Sequence, residues 1–333
     1  MAKRRPIRRL YRRYPALRHF VRRRKDAVTY HAARFALWLP RQVSLQRALR
    51  IADRAGDLAY RFDGTTRRRS LANLDRAYGD TLSRAEKETI ARNALRNAAR
   101  CFVELTHIED IRAHFDDYAD VEGWEHVEKL LAQDRAVIVI TGHIGNWELL
   151  AGYFAGKGVP ISAIARRIND PRLNQLLVDF RADNGVHSIL RESADSSREI
   201  LRVLRGRNAL ALVIDQDIMA PSISVPFFGH PARTPVAAAA LAVRKKIPVV
   251  PAFARRRPQG GHHFTVMAPI LPPNSGDRAM DVYALTRQFN EILEARIRAN
   301  PSEWVWWHQR WRRTPVPNLD LDYDMHYQNH VLR

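Results

Sequence analysis

The 333 residues carry 55 Lys or Arg against 35 Asp or Glu, which gives a net charge of +20, and 46% of them are apolar. This composition is typical of a globular chain that is long enough to bury a substantial core. Cys101 is the only cysteine, which excludes an internal disulfide and a cysteine-based metal cluster.

The N-terminal segment concentrates the positive charge. Its first 25 residues hold 12 Lys or Arg and no acid, so the remaining 308 residues carry +8. Such an arm can bind nucleic acid, anionic lipid or an acidic protein, or serve as a solubilising tail. Residues 27–40 are apolar and aromatic with one Arg, which favours in-plane attachment to an anionic membrane over a packed amphipathic helix. No uncharged stretch reaches the roughly 20 residues of a membrane-spanning helix.

Residues 43–107 have helical spacing of apolar positions, and no strand is predicted before residue 135. Strands and helices alternate thereafter, which implies crossover units. The predicted strands are 136–141, 161–165, 186–189, 209–214, 249–254 and 263–267. The predicted helices are 147–156, 171–184, 196–206, 235–245 and 283–299. The pattern predicts an α/β fold with a mostly parallel central sheet flanked by helices, preceded by a helical N-terminal region.

Three regions follow from this organisation. Residues 1–40 form the basic arm and a membrane-associating segment. Residues 41–315 form the main domain, helical over 41–134 and an α/β core over 135–315. Residues 316–333 form a C-terminal tail.

The segment from Thr141 to Glu148 lies where a predicted strand turns into a helix, the place where open α/β sheets position their chemistry. His143 can act as a general base, and a carboxylate such as Glu148 can orient its ring. Amides at the helix start can stabilise an oxyanion. The alternative is a surface histidine with Glu148 as a partner of the helix dipole.

A second polar cluster, Asp215-Gln216-Asp217, directly follows a predicted apolar strand. The two carboxylates could bind a cation, hold basic residues of the cleft, or cap the following turn. Because no third ligand is obvious, no metal site is predicted.

Three weaker signals occur elsewhere. Thr234 is a candidate N-cap with Pro235 as first helical residue, and Phe227 and Phe228 could line an apolar channel or pack in the core. Arg166, Arg167 and Arg191 suit phosphate binding but are individually weak. In residues 304–313, four Trp interleaved with Arg could stack on bases, lie at a lipid interface, or dock on the core.

In this order, the segments resemble the bacterial lipid A biosynthesis acyltransferases, the lauroyl/myristoyl transferase family within the glycerolipid acyltransferases. The resemblance covers roughly residues 40–313. The family's histidine, four residues and acid appear as His143 to Glu148. The other matching blocks are Asn73-Leu74 with Tyr78, Arg166 to Leu173, Arg191, Asp215 to Asp217, Phe227 to Gly229, and Trp306 to Trp311.

The resemblance implies an O-acyltransferase in which His143 deprotonates an acceptor hydroxyl and Glu148 stabilises the imidazolium. The expected donor is an acyl thioester of acyl carrier protein or coenzyme A. The expected acceptor is a lipid A precursor, with another membrane glycolipid or a lysophospholipid as the alternative. Neither a metal nor any other cofactor is expected. The residues assigned to substrate are Asn146, Arg166, Arg191, Asp215, Gln216, Asp217, Phe227, Phe228 and Gly229.

The expected location is the cytoplasmic face of the bacterial inner membrane, peripheral or monotopic, in contact with anionic lipid. Members of the family commonly begin with an apolar transmembrane anchor, whereas this chain has only the short segment around Trp38. No nucleic acid and no obligate protein partner are expected. A nucleic-acid-binding protein is a remote alternative, because it leaves the His143–Glu148 turn unexplained.

Overall fold

The computed structural model describes residues 15–313, and α1 is Pro15–Trp38. The arm's first 14 residues and the predicted tail, 316–333, lie outside the described residues. Helices then dominate as expected: α2 is Leu45–Phe62, α3 Gly64–Tyr78, α4 Arg84–Thr106, α5 Ile108–Ala113 and α6 Phe115–Tyr118. A capping box between Ser83 and Glu86 begins α4, and Asp63 caps α3.

A seven-stranded sheet forms the centre of the molecule. In chain order its strands are β1 (Ala119–Glu122), β2 (Val137–Thr141), β3 (Ile161–Ala165), β4 (Val186–Leu190), β5 (Ala209–Val213), β8 (Val249–Arg256) and β9 (His262–Val266). The spatial order is β1-β9-β8-β2-β5-β3-β4, and every neighbouring pair is parallel except β8 and β9. The predicted fold class is therefore confirmed.

Helices cover the sheet and close two cores. They are α7 (Glu125–Ala132), α8 (Trp147–Gly156), α9 (Pro171–Asp183), α10 (Ser196–Val203), α11 (Ala237–Lys245) and α12 (Arg278–Ala299). Successive residues of a strand point to opposite faces. Ile138 and Ile140 of β2 accordingly pack in one core, whereas Val137 and Val139 pack in the other. This double burial explains why β2 reads as a continuous apolar run.

Two local predictions were wrong. The expectation of no strand before residue 135 misses β1, because Ala-Asp-Val-Glu has no apolar run and gains its order by pairing with β9 at the sheet edge. Residues 222–235 form a separate antiparallel hairpin of β6 (Ser222–Phe227) and β7 (His230–Pro235). Thr234 and Pro235 therefore end a strand, and α11 begins at Ala237. A two-stranded ribbon tolerates the prolines of this segment, because its strands have free edges.

Within residues 15–313, no helix has the length and apolar character that a membrane crossing requires. Exposed large apolar side chains nevertheless occur on α1 and the turn after it, at Val28, Phe35, Trp38 and Leu39. Helix α2 carries three more, at Ile51, Leu58 and Phe62.

Candidate active site

The site lies at the carboxyl edge of the parallel sheet. Strands β2 and β5 are neighbours in parallel register, with Thr141 opposite Val213. The segments that leave them, carrying His143 and Asp215, therefore emerge side by side. The sequence-based expectation that polar groups at strand ends share one edge is confirmed for these two residues.

Asp215 holds the imidazole of His143. Its Oδ1 accepts a hydrogen bond from Nδ1 of His143 at 2.6 Å. Its Oδ2 accepts from the backbone N–H of His143 at 2.7 Å and from Nε1–H of Trp304 at 2.8 Å. Because an ionised carboxylate only accepts hydrogen bonds, Nδ1 carries the proton and Nε2 keeps its lone pair. The ring is therefore held as a base.

The environment of Asp215 keeps its carboxyl ionised although the side chain is fully buried. Burial alone would raise the pKa of Asp215, but its interaction with His143 and the hydrogen bond from Trp304 outweigh burial and hold this pKa well below its usual range. The backbone allows this close approach because residue 142 is glycine. A Cβ there would lie 2.6 Å from Leu293 and 3.2 Å from Oδ2 of Asp215.

Glu148 does not occupy the orienting position that the sequence suggested for it. It lies in the first turn of α8, and its two carboxylate oxygens accept from Arg181 of α9, with Nε at 3.0 Å from Oε2 and Nη2 against Oε1. The carboxylate on the imidazole comes instead from the neighbouring strand. The interpretation of Glu148 as the group that orients His143 is thus corrected in favour of Asp215.

A second histidine, which the sequence analysis did not single out, lies beside the first. The rings of His143 and His308 are perpendicular, with centroids 4.6 Å apart. The Gln216 side-chain amide joins them, with its Nε2 at 3.3 Å from Nε2 of His143 and 2.9 Å from Nε2 of His308. Burial lowers the pKa of His308 to about 4, so this imidazole is neutral at physiological pH.

The aromatic C-terminal segment delivers His308 to the site by docking on the core. Trp304 and Trp306 are fully buried. The Asn73 amide donates to the carbonyl oxygens of Trp306 and His308, both at 2.6 Å. A short bridge joins Trp304 to Ile144, next to His143. Of the alternatives for residues 304–313, docking on the core is the one observed.

A cavity of about 310 Å³ opens beside the two histidines. We call it the α4 cavity, because most of its apolar wall comes from one face of α4. Its lining includes Ala94, Ala98, Cys101, Phe102, Leu105, Trp147 and Trp307. Glu303 lies in the same wall, where burial raises its pKa to about 7. A narrow, largely apolar cavity next to a base suits a hydrocarbon chain with its reactive end at His143.

Two predicted substrate residues lie at the same sheet edge. Arg166 directly follows β3 and is exposed, and Arg191 directly follows β4. Their strands are the two beyond β5 in the sheet order. Arg191 also forms an ion pair with Glu192 at 3.1 Å. Both arginines thus follow strands at the sheet edge that carries His143.

The remaining predicted substrate residues are mostly committed to internal contacts. Asn146 is buried, caps α8 and donates to Glu104 at 2.9 Å. The buried carboxylate of Asp217 pairs with Arg313. Phe227 and Phe228 are buried with Trp304 and Trp306 and do not line the α4 cavity, and Gly229 completes the β6–β7 turn. The structure therefore favours core packing over an apolar channel for the two phenylalanines.

The family profile of the bacterial lipid A biosynthesis acyltransferases matches residues 19–313. The chain belongs to this family. It is 26% identical over 193 residues to a phosphatidylinositol mannoside acyltransferase of Mycobacterium tuberculosis, which covers 57% of this chain and 59% of that relative. It is 24% identical over 200 residues to the lipid A biosynthesis lauroyltransferase of Escherichia coli, which covers 60% of this chain and 63% of that relative.

The matched region thus spans less than two thirds of either relative's length. Among solved structures, the chain is similar to the 1-acyl-sn-glycerophosphate acyltransferase PlsC of Thermotoga maritima. That similarity has a TM-score of 0.33 and 18% identity, and it covers 74% of this chain and 95% of that one. The fold described above rests on the strand pairings of this chain itself.

Proposed function

We propose that this protein is an O-acyltransferase that moves a fatty acyl chain from an acyl thioester to a hydroxyl of a glycolipid. The observation that carries the proposal is the imidazole of His143, which is held by Asp215 and belongs to the lining of the apolar α4 cavity. We propose a lipid A precursor as the acceptor. A phosphatidylinositol mannoside or a lysophospholipid is the alternative, and the first of these is supported by the mycobacterial relative.

The geometry suggests how the reaction would proceed. Nε2 of His143 takes the proton of the acceptor hydroxyl, and Asp215 stabilises the imidazolium that forms. The hydroxyl oxygen attacks the thioester carbonyl, so that a C–O bond forms and the C–S bond breaks. The proton held by His143 then passes to the leaving thiolate. General base assistance of this kind typically contributes about 10²–10⁴-fold to the rate.

Before reaction, the amide of Gln216 occupies the position that the acceptor hydroxyl needs. It donates to Nε2 of His143 at 3.3 Å, which is long for such a bond. The amide therefore holds the ring in place at little energetic cost and can yield to a substrate hydroxyl. We assign Gln216 to this placeholder role.

Charge near the site suits phosphorylated and acidic substrates. Arg166 and Arg191 at the sheet rim would hold phosphates of the acceptor or the donor. A net charge of +20 would steer an acidic acyl carrier protein to the chain. We therefore propose acyl carrier protein as the donor, with coenzyme A thioesters as the alternative.

We place the protein at the cytoplasmic face of the bacterial inner membrane, peripherally attached. The exposed apolar side chains of α1 follow directly on the basic arm in the sequence. Basic residues next to an apolar helix face are suited to lie in the headgroup region of an anionic bilayer. Such attachment would bring lipid acceptors to the α4 cavity.

The proposal is tested with the purified full-length chain and labelled acyl donors, both carrier-protein and coenzyme A thioesters. The acceptors are a lipid A precursor, a phosphatidylinositol mannoside and a lysophospholipid in mixed micelles. We expect an esterified product that is lost in His143→Ala and kept in the matched control His187→Ala, whose side chain is 62% exposed on β4. If no acceptor is esterified by wild type, or if His143→Ala turns over normally, the proposal is wrong.

A further inference from the structure

Helix α2 carries an apolar stripe that faces solvent. Ile51, Leu58 and Phe62 are 56%, 56% and 74% exposed, and Ala55 between them is exposed as well. Their spacing of four, three and four residues places all of them on one face of the helix. The stripe is roughly 16 Å long at 1.5 Å per residue. Exposed apolar surface with a polar border is typical of a binding surface.

The stripe cannot turn into the protein, because α2 is fixed to α4 along a different face. A Cβ on the buried Gly56 would lie 2.5 Å from Cα of Arg96, so the two backbones are in close contact. Asp57 accepts from Nε of Arg96 at 2.7 Å, and Asp53 accepts from Nη2 of Arg100 at 2.7 Å. The pairs run in opposite directions along the two helices, so α2 and α4 are antiparallel. These ion pairs hold the rotation of α2 about its own axis.

The buried residue Ala52 shows on which side of α2 the stripe lies. Ala52 packs against Val103 of α4 and therefore marks the direction of the contact. Successive residues of a helix are about 100° apart. Ile51, directly before Ala52, and Asp53, directly after it, consequently point to opposite sides. The acidic side chains of α2 lie on one side of the helix pair, and the apolar stripe lies on the other.

Phe102 of α4 extends the apolar surface to the α4 cavity. It directly precedes Val103, whereas Arg100 lies three residues before Val103 and thus on the other side of the contact. Because Arg100 pairs with Asp53, the remaining side, that of Phe102, is the side of the stripe. Phe102 is 40% exposed and also belongs to the lining of the α4 cavity. One surface therefore joins the stripe to the wall of the candidate site.

We propose that this surface, formed by the α2 stripe and Phe102, lies on an anionic bilayer. Exposed arginines border the stripe, at Arg47, Arg50, Arg54 and Arg61. An arginine can bury its aliphatic stem along apolar surface while its guanidinium reaches a lipid phosphate. A straight apolar row beside a row of cations suits a helix that lies flat in the headgroup region. A second copy of this chain would bring like charges together and is therefore not the occupant.

The inference rests on the proposed location at a membrane, and it adds the surface that orients the chain there. Attachment through the arm and α1 alone leaves the rotation of the main domain open. With the stripe on the bilayer, the wall of the α4 cavity that contains Phe102 faces the lipid. A lipid acceptor would then reach His143 from the membrane side.

Binding is measured by flotation of the full-length chain with vesicles of phosphatidylcholine and phosphatidylglycerol. High salt screens the attraction of the basic arm and leaves the apolar contribution. Under these conditions, Ile51→Gln/Leu58→Gln/Phe62→Gln should lower the partition coefficient by about tenfold or more. The matched control is Leu271→Gln/Met280→Gln, which removes two exposed apolar side chains elsewhere and should bind as wild type does. Circular dichroism melting checks that each variant is folded.

A fluorescent label locates the contact itself. An environment-sensitive dye is attached to Leu58→Cys, and in a second variant to Leu271→Cys as the control; the native Cys101 is buried. Vesicles that contain doxyl-labelled phosphatidylcholine should quench the dye at position 58 and leave the dye at position 271 unchanged.

Two results would overturn the proposal. The first is a chain that floats while the dye at position 58 stays unquenched, which refutes the docking surface and keeps the membrane location. The second is a dye at position 58 that responds to acyl carrier protein and not to vesicles, which assigns the stripe to a protein partner. A chain that docks through the stripe but esterifies no acceptor refutes the acyltransferase function and keeps the surface.

Discussion

Replacing Asp215 by Asn tests which of two carboxylates, Asp215 or Glu148, orients His143. The structure determines how the new amide must lie. Two N–H groups, from the His143 backbone and the Trp304 indole, point at the position of Oδ2. The amide oxygen must take that position, because an NH₂ there would face two donors. The NH₂ is therefore turned toward Nδ1 of His143.

This orientation forces the imidazole of His143 into its other tautomer. Nδ1 now has to accept from the NH₂, so the ring proton moves to Nε2 and the lone pair that takes the substrate proton is lost. In the Ser-His-Asp triad the same Asp-to-Asn change lowers kcat by about 10⁴-fold through the wrong tautomer. We expect a loss of about 10⁴-fold here, or about 5 kcal/mol of activation free energy.

The assay is single-turnover acyl transfer with saturating acceptor, together with a thermal melt of each variant. The matched control is Glu148→Gln, which weakens the ion pair with Arg181 and leaves the bonds of His143 unchanged. It should lose less than about tenfold in the chemical step. A larger loss in Glu148→Gln than in Asp215→Asn, with both variants folded, would refute the assignment of Asp215 as the orienting group.

Three other predictions follow from particular parts of the structure. Burial raises the pKa of Glu303 from 4.5 to about 7, so the free energy of unfolding should fall as pH rises across that interval. In urea unfolding, the stability of Glu303→Gln relative to wild type should therefore increase by up to about 3 kcal/mol between these pH values. A stability difference that does not change with pH would contradict this prediction. Ala98→Phe should narrow the α4 cavity and shift product chains shorter, as mass spectrometry of products from mixed donors would show. Deleting residues 1–25 should weaken flotation with anionic liposomes at low salt but not at high salt. Equal flotation of wild type and the deletion variant at both salt concentrations would count against a role of the arm in membrane binding.

The turn that carries His143 could be predicted because its signals are local. An apolar run rich in β-branched residues ends at Gly142, and the helix that follows was predicted at the bounds it has, Trp147–Gly156. The glycines are also informative. Gly145 has φ of +56°, and a Cβ there would lie 2.1 Å from the carbonyl oxygen of Ala254, so no other residue fits the turn.

The start of α11 was mispredicted because a tertiary contact uses the capping group. Thr234 before Pro235 has the sequence of a helix N-terminus. In the fold, the Thr234 hydroxyl accepts from the buried Arg310 guanidinium at 2.7 Å and pairs with Asn290. Burial lowers the pKa of Arg310 to about 10, so this guanidinium needs every acceptor that surrounds it. A sequence window around Thr234 cannot contain a partner that is 76 residues away.

The orienting group of His143 escaped prediction for a related reason. Glu148 is five positions along the chain, whereas Asp215 is 72 positions away. Proximity in sequence favoured the wrong carboxylate, because Glu148 in the first turn of α8 is held by Arg181 of α9 instead. The order of the strands determines which carboxylate reaches His143. Strand β5, rather than β3, is the neighbour of β2 in the sheet, and the first residues after β5 therefore lie against the imidazole.

Glu148 therefore has a structural role instead. Its ion pair with Arg181 joins the first turn of α8 to α9, and both side chains are mostly buried. Helix α9 begins directly after the loop that holds Arg166. Fixing α9 therefore fixes where that loop lies at the sheet rim. On this basis we propose that Glu148 stabilises the framework that would position the acceptor, while Asp215 would stabilise the charge that develops on His143. The two roles are separable, since the first would act on binding of the acceptor and the second on the proton transfer itself.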